Sequence, residues 1–296
     1  VITSTTVDAE GFVTEAGFDS SGNVIGEVPS ASGMLTSTDV DNNATDHWSI
    51  EGPSTGTYGS MAIDPSTGEW TYTLSNSDPD TQALDLGDSV SEVFTARVTD
   101  DNGAYSDQQI TVHITGANDT PVVTSATEAA AGSVTEAGSL DNGDVDSGSP
   151  SITGSLAAAD VDTEASLTWS MDGADINGET AGTYGSISIT PEGNWSYSLD
   201  NTLDATQRLE EGESQSDSFT ARVTDEHGAS AIQTISISVS GTNDIPSITN
   251  QFSDTQGIVV EADPDSIISS NFDTGNDGWS FIHNASTLDW HSTGGN

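Results

Sequence analysis

Residues 56–74 read GTYGSMAIDPSTGEWTYTL, and residues 182–199 read GTYGSISITPEGNWSYSL. In the first stretch Trp70, Tyr72 and Leu74 occupy every second position, and in the second Trp195, Tyr197 and Leu199 do the same. A period of two places these side chains on one face of a half-buried strand. Ahead of each strand lies a turn signal, DPSTGE or TPEGN, in which proline fixes φ and glycine supplies a positive φ. Phe94, Ala96 and Val98 alternate in the same way, as do Ile110, Val112 and Ile114. No window of eleven or more residues carries a helical period. The chain therefore reads as all-β.

The two stretches belong to a longer repeat. VITSTTVDAEGFVTEAG at 1–17 aligns with VVTSATEAAAGSVTEAG at 122–138, and STDVD at 37–41 with AADVD at 158–162, both at an offset of 121. Farther along, FTARVTDDNG at 94 pairs with FTARVTDEHG at 219, an offset of 125, so the second copy has gained a few residues in one loop. Several short strands in a repeat of this length, separated by turns rich in Gly, Ser, Asn and Asp, are expected to build a β-sandwich of immunoglobulin or cadherin type. With no cysteine in the chain, the Trp and Tyr rings are the expected core fillers.

Charge is the extreme feature of the composition. Asp and Glu number 48 against three basic residues, Arg97, Arg208 and Arg222, for a formal net charge of −45. Such a chain repels nucleic acid and anionic membrane surfaces, and its self-repulsion favours a medium that supplies screening salt or bound cations. No apolar run approaches the roughly 18 residues of a membrane span, and no signal peptide opens the chain, which begins VITSTT as if cut from a longer protein. A −45 chain invites a disordered reading, but the alternating apolar pattern argues against it.

The copies end in related stretches, TGANDTP at 115–121 and SGTNDIP at 240–246. Asn and Asp tolerate turn conformations, and Pro extends the residue before it, so each is a turn or a linker. The GTYG, aromatic-x-Tyr and Asp-x-x-Gly elements, in that order in both copies, resemble the VCBS repeat of large secreted and surface bacterial adhesins. That resemblance implies cadherin-like sandwiches strung in tandem, with calcium at the joints. In the cadherin arrangement, the joint between the copies would draw on Glu15, Asn118, Asp119, Asp160, Asp162 and Asp225. Asp39, Asp41 and Asp100 would face an upstream domain, and Glu136, Asn243 and Asp244 would serve the joint to the tail. One departure stands out: the Asp-Arg-Glu element of cadherins is missing, which implies fewer ions per joint. The donor chemistry suits calcium, a hard cation that takes about six to eight oxygens from carboxylates, amides and carbonyls.

Other sites fare worse. DVDNNA at 39–44 lacks the glycine of an EF-hand loop and has Ile50 where a bidentate Glu is needed; DNGDVDSG at 141–148 would close on Ser155. With 48 acids, any pair of carboxylates could be nominated as a glycosidase pair, so the criterion selects nothing. None of the histidines, His47, His113 and His227 among them, has a Ser or acid partner at motif spacing, and no enzyme is expected. Asn43, Asn194 and Asn284 fall in N-x-[ST] triplets, to which no role is given. The tail, NFDTGNDGWSFIHNASTLDWHSTGGN from 271, resembles the opening strands of a laminin-G or carbohydrate-binding jelly roll; core packing is the expected role of Trp279, Phe281 and Trp290.

The expected organisation is one sandwich over 1–119, a second over 120–244, and a linker with an incomplete further β domain over 245–296. The expected role is a non-catalytic spacer or adhesion segment of a bacterial surface or secreted protein, stiffened by calcium between neighbouring repeats and supporting adhesion or biofilm formation. Adjoining domains would meet a cell-surface or glycan ligand. The alternative is an accessory region of a secreted polysaccharide-degrading enzyme whose glycan-binding jelly roll begins at about residue 271.

Overall fold

The computed structural model describes residues 1–41, 45–140, 142–246, 256–260, 267–271 and 279–282. The chain divides into Val1–Asp244 and Ile245–Asn296. In the second of these, Gln256–Val260, Ile267–Asn271 and Trp279–Ile282 form a three-stranded antiparallel sheet. Asn43, Asn284 and Trp290 lie outside the described residues, as does most of the segment read as a jelly-roll opening.

Val1–Asp244 contains two β-sandwiches. In the first, one sheet runs in the order Glu10–Thr14, Tyr105–Thr115, Ser89–Thr99, His47–Glu51, and faces a sheet of Ser30–Met34, Glu69–Leu74 and Gly59–Ile63. The second repeats this with Ala131–Thr135, Ser230–Ser240, Ser214–Thr224, Thr168–Met171 against Ser151–Ser155, Asn194–Leu199, Gly185–Ile189. The extra residues of the second copy build a further edge strand, Glu179–Ala181, beside Gly185–Ile189. The only α-helix among the described residues is the single turn Pro79–Gln82, opened by Asp78, whose side chain accepts from the Asp80 N–H. Four residues are too few to leave a helical period in the sequence.

The alternating aromatic strands fill the cores as expected: Trp70, Tyr72, Trp195 and Tyr197 are all buried. Each indole donates to a backbone carbonyl, Trp70 Nε1 to Asp8 at 2.9 Å and Trp195 Nε1 to Ala129 at 3.0 Å. Glycine lies against each indole: a Cβ on Gly154 would approach the Trp195 ring to 2.3 Å, and one on Gly33 would approach Trp70 to 2.7 Å. Each tyrosine donates to a carboxylate that also closes the preceding Gly-Thr-Tyr-Gly turn. Tyr197 Oη donates to Asp217 at 2.8 Å, while the Thr183 and Tyr184 N–H groups donate to the same carboxylate at 2.7 and 3.1 Å. In the first sandwich Glu92 does this work for Tyr72, Thr57 and Tyr58.

Asp217 is only 3% exposed, and a buried carboxylate short of a donor carries its own desolvation cost. Tyr197→Phe is expected to destabilise the second sandwich by about 1.5–3 kcal/mol, read by denaturant unfolding, with little change in the m-value.

Candidate metal centre at the joint

The ladder that builds each sandwich also collects its acids. Glu10–Thr14 pairs in parallel with Tyr105–Thr115, with Thr14 opposite Thr115. The two strands therefore end together, and Glu15 emerges beside the linker that follows Thr115. Its N–H donates to the Thr115 carbonyl at 3.0 Å, and its carboxylate accepts from Gln82 Nε2 at 2.9 Å and the Ala117 N–H at 3.4 Å. At the opposite end of the second sandwich, the turn joining Ser214–Thr224 to Ser230–Ser240 is held by Asp225 Oδ1, which accepts from the His227 and Ala229 N–H groups. Asp160 and Asp162 sit at that same end, with Asp160 Oδ1 accepting from the Asp162 N–H at 3.2 Å.

The linker brings the two ends into contact. Asn118 Nδ2 donates to Asp225 at 3.1 Å, and the Asp119 N–H donates to Asp162 at 2.8 Å. The Thr163 N–H donates to the Ala83 carbonyl at 3.1 Å. Val122–Val123 pairs with Ala158–Ala159, which ties the linker to the second sandwich. All six residues expected at this joint, Glu15, Asn118, Asp119, Asp160, Asp162 and Asp225, stand at it. Glu15 is fully enclosed, and Asp162 is 7% exposed.

Among the described residues no arginine pairs with any of these carboxylates. Asp119 Oδ2, Asp160 Oδ2 and Asp162 Oδ1 are buried without a hydrogen-bond partner. Burial, followed by repulsion from Asp119 and Asp162, pushes Glu15 up to about 8. Burial and then the neighbouring acids push Asp162 up to about 7 and Asp119 to about 6. Asp160 is raised too, first by burial and then by Asp225 and Glu226.

The remaining expected residues fall into two partial copies of the site. Asp39 and Asp100 line one cavity with Asp46 and Tyr105. Asp39 Oδ1 accepts from the Asp41 N–H, and Asp100 Oδ1 from the Asn102 and Ala104 N–H groups, the pattern of Asp160 and Asp225. Glu136 is enclosed like Glu15 and accepts from Gln207 Nε2 at 3.1 Å and the Thr242 N–H at 3.4 Å. It is raised by burial and then by Asp244, while Asn243 and Asp244 themselves are exposed.

The sequence reading missed the groups contributed by the Pro79–Gln82 turn and the loop after it. Gln82 supports Glu15, and Gln207 supports Glu136, so the Thr-Gln pair common to both copies was the available signal. It also left His227 without an acid partner. The fold supplies one from the other sandwich: His227 Nε2 lies 3.0 Å from Asp85.

Residues 118–241 match the family model of the bacterial cadherin-like domain. Over those residues the second sandwich is similar to a bacterial cadherin-like domain. The first repeats its sheet order and registers, so the two form a tandem of cadherin-like sandwiches. Among solved structures, the protocadherin gammaB4 extracellular domain aligns with TM-score 0.39 and 15% identity, over 80% of this chain and 33% of that one. Mouse cadherin-23 EC22-24 aligns with TM-score 0.34 and 15% identity, over 83% and 64%. This chain thus spans from a third to just under two thirds of those structures. A comparison with curated proteins gives no match.

The raised acids set a pH dependence for the metal-free cadherin-like joint. A carboxylate whose folded pKa is raised binds more protons folded than unfolded, so its contribution is complete below the unfolded value and is lost as pH rises through the folded one. For Asp119, Asp162 and Glu15 the losses centre near 6, 7 and 8. In chelator, the melting temperature is expected to fall from pH 5 to pH 8, a range well above Asp64, which its Ser66 and Thr67 hydrogen bonds hold at about 2. Calorimetric scans at fixed ionic strength measure the slope.

Proposed function

We propose that residues 1–244 are a calcium-stiffened spacer: a non-catalytic adhesion-type segment of an extracellular bacterial protein that holds neighbouring domains in line. The observation that carries this reading is the set of buried, partnerless oxygens on Asp119, Asp160 and Asp162. Two come from the second sandwich and one from the linker, so cations bound between neighbouring members of this set would tie linker to sandwich. The donor set is all oxygen, as calcium requires.

Glu15, Asn118, Asp119, Asp160, Asp162 and Asp225 would hold the ion, which supplies the positive charge the carboxylates lack. The chain's own groups do the rest. Gln82 and the Ala117 N–H orient Glu15, the Asp119 N–H orients Asp162, and the turn N–H groups of His227 and Ala229 orient Asp225. Without a counterion, repulsion among these carboxylates loosens the joint; neutralised, the same contacts lock it. Extracellular modules of this kind bind calcium with dissociation constants of roughly 10⁻⁴ to 10⁻³ M, so the spacer would be stiff outside a cell and slack inside one. Among the described residues no helix is long and apolar enough to cross a membrane.

Calcium is expected to raise the melting temperature and extend the solution dimensions of the chain. Asp162→Asn keeps an acceptor for the Asp119 N–H but removes a charge, and is expected to raise the calcium midpoint of both readouts by about tenfold, with tryptophan fluorescence reporting intact cores. An identical X-ray scattering profile in chelator and in millimolar calcium would sink the reading.

A further inference from the structure

Beside the all-oxygen cluster lies a group of different chemistry. Asp85 comes from the first sandwich, and Glu226 and His227 come from the turn of the second. Among the described residues they are the set of three His, Asp or Glu side chains that brings one ligand atom each within 4.8 Å of the others. His227 Nε2 stands 3.0 Å from Asp85 Oδ1 and 3.1 Å from Oδ2, with both side chains 23% exposed. Glu226 is aimed by Ser166, whose N–H and Oγ donate to Oε2 at 2.7 and 3.3 Å. The His227 N–H is fixed on Asp225 Oδ1 at 2.9 Å. The Glu226 carboxylate and the His227 backbone are therefore both fixed by hydrogen bonds, the kind of support that outer-shell partners give to metal ligands.

A second observation points to a cation. Asp162, nine-tenths buried with Oδ1 unpartnered, feels the charge of Asp85, and Asp160, whose Oδ2 is buried and unpartnered, feels that of Glu226. Among the described residues of the joint His227 is the one imidazole, and it sits at the rim of a cluster of carboxylates with which no arginine pairs. Calcium takes oxygen; imidazole nitrogen favours zinc and its transition-metal neighbours, and three protein ligands with one open position is a usual zinc arrangement.

We propose that Asp85, Glu226 and His227 form a second cation site, selective for a zinc-class divalent ion, that bridges the two sandwiches. It belongs to this joint alone among the described residues. The first sandwich's turn has Asp101 and Asn102 where the second has Glu226 and His227, so the imidazole is specific to the second copy. The site does not depend on calcium occupying the neighbouring carboxylates.

The test uses the full 296-residue chain in millimolar calcium, titrated with zinc by calorimetry and with cobalt by visible absorption. One saturable zinc equivalent is expected to persist in calcium, with cobalt bands that report nitrogen ligation. His227→Asn, which installs the residue the first sandwich carries at its turn, and Glu226→Gln should each weaken zinc at least about tenfold, while His113→Asn leaves it unchanged. The calcium response of the melting temperature should survive His227→Asn. Absence of a saturable zinc step, its disappearance in millimolar calcium, or unchanged zinc affinity in His227→Asn would each overturn the proposal.

Discussion

Parallel pairing of the first long strand with the last is the constraint on which the joint depends. In an antiparallel pair the end of one strand meets the start of the other, and Glu15 would stand far from the residues after Thr115. With Thr14 opposite Thr115, the chain must leave the sandwich beside Glu15. Glu136 and Thr242 are related by the same geometry, because Thr135 lies opposite Ser240. The antiparallel hairpin, eleven residues a side, then delivers its turn acid, Asp100 or Asp225, to the other end of the sandwich. Each sandwich is thus polar along its length, with an enclosed Glu at one end and an Asp-x-Asp plus turn Asp at the other. Stacked in tandem, the enclosed Glu of one sandwich and the acidic end of the next meet at the linker.

The electrostatics of those halves are unfavourable by themselves. Elsewhere on the chain, acids are handled locally: Asp19, Asp64 and Asp175 accept turn N–H groups, and Asp107 and Asp172 pair with Arg97 and Arg222. Side-chain donors from Asn23 and Ser66 together with the turn N–H groups hold Asp19, Asp64 and Asp175 below the usual carboxylate range, and the guanidinium partners hold Asp107 and Asp172 there. At the joint the direction reverses, because burial removes water while the neighbours are also negative. Asp217 shows that burial alone is tolerable when three donors meet the carboxylate. The partnerless oxygens of Asp119, Asp160 and Asp162 have no such donors.

Much of the fold was legible because it rests on a period of two and on turn chemistry. Trp70, Tyr72, Leu74 and their copies announced their strands and their burial. The six residues at the joint were legible only through resemblance, since their meeting depends on which strands run parallel, and no local pattern encodes that. What escaped notice did so for identifiable reasons. Pro79–Gln82 is one turn long, and Glu179–Ala181 is a short edge strand raised by an insertion. His227 and Asp85 are separated by 142 residues, so their pairing is a property of how two folded bodies meet and has no spacing to recognise.

Repetition with small departures gives the ends of the two sandwiches different chemistry. Gln82 and Gln207 are retained, as are the enclosed Glu15 and Glu136, so the oxygen-donor frame is common to both copies. Around it the loop after the helical turn changes from Ala83, Leu84, Asp85 to Arg208, Leu209, Glu210, and the hairpin turn from Asp101, Asn102 to Glu226, His227. The contact made by residue 83 uses its backbone carbonyl, which any residue supplies, so that position is free to vary without loosening the joint. Positions 85, 226 and 227 meet through side chains, and a change there alters the charge and the donor types at the rim. A tandem array built in this way keeps one backbone frame while each joint carries its own set of side chains.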